Sequence, residues 1–390
     1  MSDLSYYEFF AGGGMARAGL GEGWACLLAN DFDPMKARAY AENWGGEHMV
    51  CEDVTALSTS DLPGLPELVW ASFPCQDLSL AGDYRGLGHR DDKTNTRSGT
   101  FWPFWRLMEA LQREGRAPNL IVLENVLGVL TSSGGSDFAA ISSVLANGGY
   151  RFGAVVIDAR WFVAQSRPRV FIVAVREDVP IPTELVAGKP VERWTPPMLR
   201  AAHARLAPQL RDKWLWWSVP EPGRTPPCFA DLLEEEPEGV SWHDASETRK
   251  LLDSMSAVNR QKVKVAVAAQ RRIVGTVYRR TRPDPHGGNS VRAEVRFDDV
   301  AGCLRTPAGG SSRQKLLIVE GKKARTRLLS PREAARLMGL PDTYKLPKRY
   351  NDAYRVAGDG VVVPVVRHLA ATLLEPLARA ARETIAVAAE

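Results

Sequence analysis

Cysteine is scarce and scattered. Its five positions, Cys26, Cys51, Cys75, Cys228 and Cys303, include no C-x-x-C pair and no spacing with histidine that zinc would need, which argues against a structural metal. The odd count and the opening MSDLSYYEFF, which has no basic n-region, point to a reducing cytoplasm. No apolar run reaches the length that crosses a bilayer, so no membrane is expected. Charge of one sign is not in large excess either: a net +4 falls short of what a chain that simply coats nucleic acid carries. Repeats and long low-complexity tracts are missing. What is left is a globular composition, 45% hydrophobic and 25% charged. At 390 residues the chain exceeds one hydrophobic core, which predicts two domains, one of them discontinuous in sequence.

Short apolar runs of β type alternate with helical patterns through the first half, as in a doubly wound, mostly parallel α/β sheet. Strands are predicted at Tyr6–Phe10, Ala25–Asn30, Leu68–Ser72, Leu120–Leu123, Ala154–Ile157 and Val170–Val175. Asp33-Pro34 supplies an N-cap followed by proline in the first turn of a helix, and a helix opening at Ser136-Asp137 can stop at Gly148-Gly149. From about Val186 the chain turns rich in proline and tryptophan (Trp194, Trp214, Trp216, Trp217), the parallel rhythm ends, and a boundary is placed there. A second, smaller domain follows. It has a predicted helix over Glu247–Ala269 and β-like stretches at Ile273–Tyr278, Val291–Phe297 and Leu316–Val319, separated by glycine-rich turns. The tryptophans at 214, 216 and 217 read as its core. Positive residues gather at Arg249–Lys264, Arg271–Arg282 and Lys315–Arg336. Ser330-Pro331-Arg332-Glu333 is a capping box with proline at the first helical position, closed by Gly339. The tail from Val361 begins with a β-type run, ends in an apolar helix and returns to the first domain.

Chemistry-bearing residues sit at the predicted strand ends. The first strand runs into Phe10-Ala11-Gly12-Gly13-Gly14, where glycines let backbone amides approach a ligand. Arg17 stands where a dinucleotide fingerprint needs another glycine, so a mononucleoside cofactor is favoured over a nicotinamide one. Asp31 and Asp53 follow the next strands, able to accept from ribose hydroxyls and an adenine amino group, though an N-cap would look the same. Phe73-Pro74-Cys75-Gln76 stands at a carboxyl strand end, where open α/β sheets place their sites, and precedes a polar stretch to Gly99 that reads as a long loop. Leu123-Glu124-Asn125-Val126 delivers a carboxylate to the same edge. Gln165-Ser166-Arg167-Pro168-Arg169 puts two alternating arginines before the strand at Val170–Val175, suited to an anion or to bracing a pocket.

In this order and at these strand ends, the motifs resemble the cytosine-5 DNA methyltransferases over nearly the whole chain, in the prokaryotic, restriction-modification style. The resemblance implies a Rossmann-like S-adenosylmethionine-dependent methyltransferase fold with a target-recognition domain. It divides the chain into 1–185 for catalysis and cofactor, 186–330 for target recognition, and 331–390 for the support helix and the return. It implies cofactor contacts at Phe10, Ala11, Gly12, Gly14, Asp31, Phe32, Asp53, Val54, Pro74, Asp359 and Val361. Catalysis falls to Cys75, Glu124, Arg167 and Arg169, and substrate contacts to Gln76, Ser79, Asn125 and Gln165. The run from Arg327 to Glu333 with Met338-Gly339 is similar to the motif that supports the recognition domain. One position departs: the last motif reads Gly358-Asp359-Gly360, with Asp where the family usually has Asn, which replaces a donor-and-acceptor with a charged acceptor.

The implied route adds the Cys75 thiolate to carbon 6 of a cytosine flipped out of the duplex, with Glu124 holding ring nitrogen 3 and the exocyclic amine, and the loop after Cys75 as lid. Arg280, Arg282, Arg292, Arg296, Arg305 and Arg313 are the candidates for reading duplex DNA in the major groove, most of them expected to touch only phosphate or solvent. A monomer is expected, with a cognate restriction endonuclease as the possible partner. Two other readings compete: an RNA cytosine-5 methyltransferase, and a non-catalytic DNA-binding regulator. The large middle segment disfavours the first, and intact Cys75, Glu124 and glycine turn disfavour the second.

Overall fold

The apolar runs of the first half form a seven-stranded sheet. Its strands are β1 (Leu4–Phe9), β2 (Trp24–Asn30), β3 (Met49–Val50), β4 (Leu68–Ala71), β5 (Leu120–Val126), β6 (Tyr150–Asp158) and β7 (Pro168–Arg176), in the order β3-β2-β1-β4-β5-β7-β6. All run parallel except β7, which is antiparallel to both neighbours. The chain is described from a computed structural model over residues 4–74, 97–283, 287–305 and 313–389. Two compact units make it up. Met1–Asp158, Pro168–Pro222 and Val361–Glu390 form the first, and Ala159–Arg167 with Gly223–Gly360 the second.

In the first unit the central strands are buried on both faces, which is why β4 reads as an unbroken apolar run, Leu-Val-Trp-Ala. One face packs Tyr7, Phe9, Val69, Ala71, Ile121 and Leu123 under α3 (Phe101–Arg113) and α4 (Ser136–Asn147) in one continuous core. Across the other face a registered row runs Glu8, Trp70, Val122, Val173, with a carboxylate among apolar neighbours. Helix α1 (Met15–Leu20) follows β1 and α2 (Pro34–Trp44) follows β2, its first turn capped by the Asp33 side chain.

The proline- and tryptophan-rich segment belongs to this first unit as far as Pro222, beyond the boundary expected near 186. Its tryptophans are core, but of the first unit rather than the smaller one. Trp214 stands edge-on to Phe152 and Phe138, at 5.6 and 6.1 Å. The reason is the open edge of β6. Phe152 N donates to Lys213 O and Leu215 N to Phe152 O, so this stretch covers unpaired backbone that would otherwise face solvent. The segment also holds a short ladder, β8 (Val186–Ala187) with β9 (Trp216–Trp217), and helices α5 (Pro197–Ala204) and α6 (Pro208–Arg211).

In the second unit the predicted helix over Glu247–Ala269 is two helices, α7 (Ala245–Asp253) and α8 (Ala257–Ala268). Ser254 O accepts from Ala293 N, and Ser256 N-caps α8, so the break serves a sheet contact. That sheet is antiparallel, β11-β10-β12-β13, from β10 (Ile273–Pro283), β11 (Asn289–Arg296), β12 (Lys315–Glu320) and β13 (Lys323–Leu328). Helix α8 lies along the outer edge of β11, where Asn259 Oδ1 accepts from Val295 N and Lys262 Nζ donates to Val295 O. The capping box at Ser330 forms as predicted and opens α9 (Pro331–Arg336). Its Glu333 also takes both ends of the Arg327 guanidinium, and both side chains are fully buried. Helix α10 (Tyr350–Asp359) ends this unit.

The tail differs from expectation in one respect. Val361 and Val362 are extended, but the predicted β-type run is helix α11 (Val363–Leu369), followed by a π turn and α12 (Glu375–Ala389). Pro364 sits in the first turn of α11, where a missing N–H costs nothing, and Val366 packs on the bare backbone of Gly19 in α1. By composition the run Tyr350–Glu383 has the length and hydropathy of a membrane span, contrary to the reading of the sequence. It is broken at Gly360–Val362, and Leu369, Leu373, Leu374 and Leu377 are fully buried within the first unit, so its apolarity is that of core helices.

Candidate active site

Because β1, β2, β4 and β5 are parallel, their carboxyl ends share one edge of the sheet, and the segments predicted to carry chemistry leave the strands there. Beyond β1 the chain makes the turn Phe10–Gly14 with positive φ at Phe10 (58°), Gly12 (58°) and Gly14 (77°). At Gly12 a Cβ would meet nothing within 4 Å, so the backbone there faces open space that a ligand can enter. Asp31 locks the turn: its Oδ2 accepts from Gly12 N at 2.8 Å and its Oδ1 from Asp33 N at 2.9 Å. Each oxygen retains a further acceptor direction, which matches a pair of hydroxyl donors. Burial raises the Asp31 carboxyl above its usual range, against the pull of Lys36 and the two backbone amides. Phe32 next to it is 61% exposed, an aromatic face at the mouth of the turn. Phe10 packs on Phe104, Ala11 is buried, and its N–H donates to Asn30 O.

Asp53 is exposed and caps the 3-10 turn Val54–Ala56 through Thr55 N at 2.8 Å, and Val54 is buried beneath it. At the end of β4, Phe73 is buried against Phe101, and Pro74 is half-buried. Cys75, Gln76 and Ser79, expected as nucleophile and substrate contacts, lie outside the described residues.

At the end of β5, Glu124 is 8% exposed and its Oε1 pairs with Arg169 Nε at 3.1 Å. The register explains the meeting. Val126 pairs with Arg169 across the β5/β7 ladder, so Glu124, two residues away on the same face, is the diagonal neighbour. Asn125 is turned the other way. Its Nδ2 donates to Phe73 O at 3.2 Å and its Oδ1 accepts from Val126 N, so the amide expected to touch substrate ties the β5 end to the backbone entering Pro74.

Gln165 and Arg167, predicted to face the pocket, are enclosed in the second unit and act as braces. Gln165 is fully buried, with Nε2 donating to Leu337 O and Oε1 accepting from Leu304 N. Arg167 donates to the carbonyls of Leu304, Gly358 and Gly360. Arginine needs acceptors for five N–H groups when buried, and these carbonyls come from segments far along the chain that sequence spacing does not show. In the same unit Asp359 ends α10 and pairs with Arg355 at 3.8 Å, so the departure from Asn adds a local ion pair. Val361 is buried in the first unit.

Of the six arginines proposed for DNA, Arg280, Arg282, Arg292 and Arg296 lie on one face of the β10/β11 ribbon. Arg305 is exposed. Arg313 donates to Asn351 and lies over the Tyr350 ring at 5.4 Å. Sequence reasoning passed over two supports of the glycine turn. Trp44 Nε1 donates to Gly13 O at 3.0 Å, and the buried Glu8 carboxyl sits where the backbone amides of Ala16 and Arg17, at the start of α1, oppose the upward push of burial on its pKa. A carboxylate inside an apolar strand was the available signal for Glu8.

The family model for C-5 cytosine-specific DNA methylases matches residues 4–375. Over 93% of its length the chain is 25% identical to the type II methyltransferase M.NlaX of Neisseria lactamica, covering 94% of that protein. It is 23% identical to M.HhaI of Haemophilus parahaemolyticus, over 95% of this chain and 94% of that one. Among solved structures, the S. pombe Dnmt2 methyltransferase superposes with a TM-score of 0.56 at 19% identity, over 96% of this chain and 99% of that one. A putative DNA modification methyltransferase encoded within an E. coli prophage gives 0.55 at 17%, with the same coverage. These two show a shared fold. The family match spans both units and every strand end described above, and the chain belongs to the C-5 cytosine-specific DNA methylases.

Proposed function

We propose that this enzyme transfers a methyl group from S-adenosylmethionine to carbon 5 of a flipped-out cytosine in a specific duplex DNA sequence, with Cys75 as covalent nucleophile. The observation that carries the reading is the convergence on one sheet edge of the Asp31-held glycine turn and the Glu124–Arg169 pair. The turn fits a nucleoside: open space at Gly12, two acceptor oxygens on Asp31 and the exposed Phe32 ring beside them. Phe10, Gly12, Asp31, Phe32 and Asp53 would hold the cofactor, which when bound supplies an electrophilic methyl on a sulfonium.

The residues of the chain prepare the base. Carbon 5 of cytosine is a poor nucleophile, and addition of the Cys75 thiolate to carbon 6 turns the ring into an enamine with electron density at carbon 5. Glu124, oriented by Arg169, holds ring nitrogen 3 and the exocyclic amine and offsets the charge that develops during addition. Asn125 positions the chain that leads into Cys75. After methylation, the carbon 5 proton leaves to a base and the bond between Cys75 and carbon 6 breaks, restoring the thiolate and the aromatic ring. The base leaves the stack at a cost of a few kcal/mol.

The reading implies a cytoplasmic monomer acting on double-stranded DNA. Transfer of labelled methyl to unmethylated duplex DNA, followed by nucleoside analysis and bisulfite sequencing, tests it. Label in 5-methylcytosine at one short sequence, lost in Cys75→Ser, is expected. Label in RNA alone, or a Cys75→Ser protein as active as the wild type, would overturn it.

A further inference from the structure

The β10/β11 ribbon carries an acidic residue at the centre of its basic face. By register, Tyr278 is opposite Glu294, Arg280 opposite Arg292 and Arg282 opposite Ser290, so all six side chains point to one side. Arg280 and Arg292 stand directly opposite each other, which concentrates positive charge on this face and suits it to a polyanion. A twisted two-stranded ribbon of this kind fits the major groove.

Glu294 organises it. Its Oε1 accepts from Arg282 Nε at 2.6 Å and Nη2 at 2.5 Å, and its Oε2 lies 3.8 Å from Arg280 Nε. The carboxylate is 18% exposed while the arginines are 46–47% exposed, so the acid is the recessed anchor and the guanidiniums stand above it. Binding Arg282 through the Nε side leaves the far edge of its guanidinium, an Nη1–H and an Nη2–H in one plane, unengaged by Glu294 on a side chain 46% exposed. That pair is the fork that reads O6 and N7 of guanine. Arg280 is held from its other side by the Tyr278 ring, 4.7 Å from the guanidinium carbon.

We propose that Glu294 is a specificity-determining positioning residue. It holds Arg282, and more loosely Arg280, in the orientation that reads guanine in the target sequence. The proposal rests on the reading of the chain as a sequence-specific DNA enzyme, and it predicts opposite signs for two measurements. Glu294→Gln keeps the shape but removes a negative charge from a basic face, so affinity for random duplex DNA rises. The arginine forks lose the charge-assisted part of their hold, since the amide oxygen alone accepts more weakly, so discrimination at one or two G·C pairs falls roughly five- to hundred-fold.

The test is selection from a pool of random duplexes by full-length wild type, Glu294→Gln and Arg282→Lys, with binding to non-cognate DNA measured alongside. Arg282→Lys keeps the charge and loses the fork, and it should relax the same base position without raising non-specific affinity. An unchanged preference in Glu294→Gln, equal rises in specific and non-specific binding, or a wild type that selects no sequence would each overturn the role of Glu294. A wild type that selects a sequence yet transfers no methyl to it would overturn the catalytic reading alone.

Discussion

Glu8 gives the most quantitative forecast. It lies in the registered row with Trp70, Val122 and Val173 and is 2% exposed, beneath the first turn after the glycine loop. Burial pushes its carboxyl up to about 8, with the Arg17 charge and the backbone amides of Arg17 and Ala16 opposing. The folded protein therefore binds this proton more tightly than the unfolded chain, whose carboxyl titrates near 4.5. The stability it contributes is complete below that lower value and is lost as pH rises toward about 8, where the slope ends. At about 1.36 kcal/mol per pKa unit the whole window is worth at most ~5 kcal/mol. Glu8→Gln keeps the size and an acceptor oxygen but cannot ionise. The gap between wild type and Glu8→Gln should thus shift in favour of the variant by about 2–5 kcal/mol between pH 5 and pH 8.5. Urea midpoints of the full-length proteins across that range measure it. Parallel pH profiles for the two would show that Glu8 does not titrate as argued.

Other perturbations probe the edge of the sheet directly. Glu124→Gln should lower kcat about 10²-fold or more while leaving S-adenosylmethionine affinity by calorimetry unchanged, because the residue acts on the base. Asp31→Ala removes the acceptor of both Gly12 N and Asp33 N and should weaken cofactor binding by about five- to hundred-fold, a cost of roughly 1–3 kcal/mol in binding free energy. Asn125→Ala releases Phe73 O and should reduce kcat with little effect on cofactor affinity, in single-turnover methylation. Gly14→Ala forces a Cβ to 2.4 Å from Trp44 Nε1 at φ 77° and should cost about 1–3 kcal/mol, seen as a fall in Tm and in cofactor affinity together.

What the sequence determined by itself was whatever depends on near neighbours. Alternating apolar runs, the glycine turn after β1, the Asp33 cap with Pro34, and the capping box at Ser330 are set by contacts within a few residues, and all form where predicted. The same holds for Glu124 at a strand end, since a parallel sheet sends every such end to one edge. The order of motifs was enough for the family because the chemistry is spread along the chain at those ends. Tertiary structure decided the rest. Tryptophans 214, 216 and 217 went to the first unit because β6 left an open edge that needed covering, a demand invisible in their own neighbourhood. The Val361 run became helix because Gly19 offered a bare surface to Val366. Gln165 and Arg167 became braces because their partners stand 137 to 193 residues away. A buried polar side chain takes whichever acceptors the fold brings to it, and only the assembled core determines which those are.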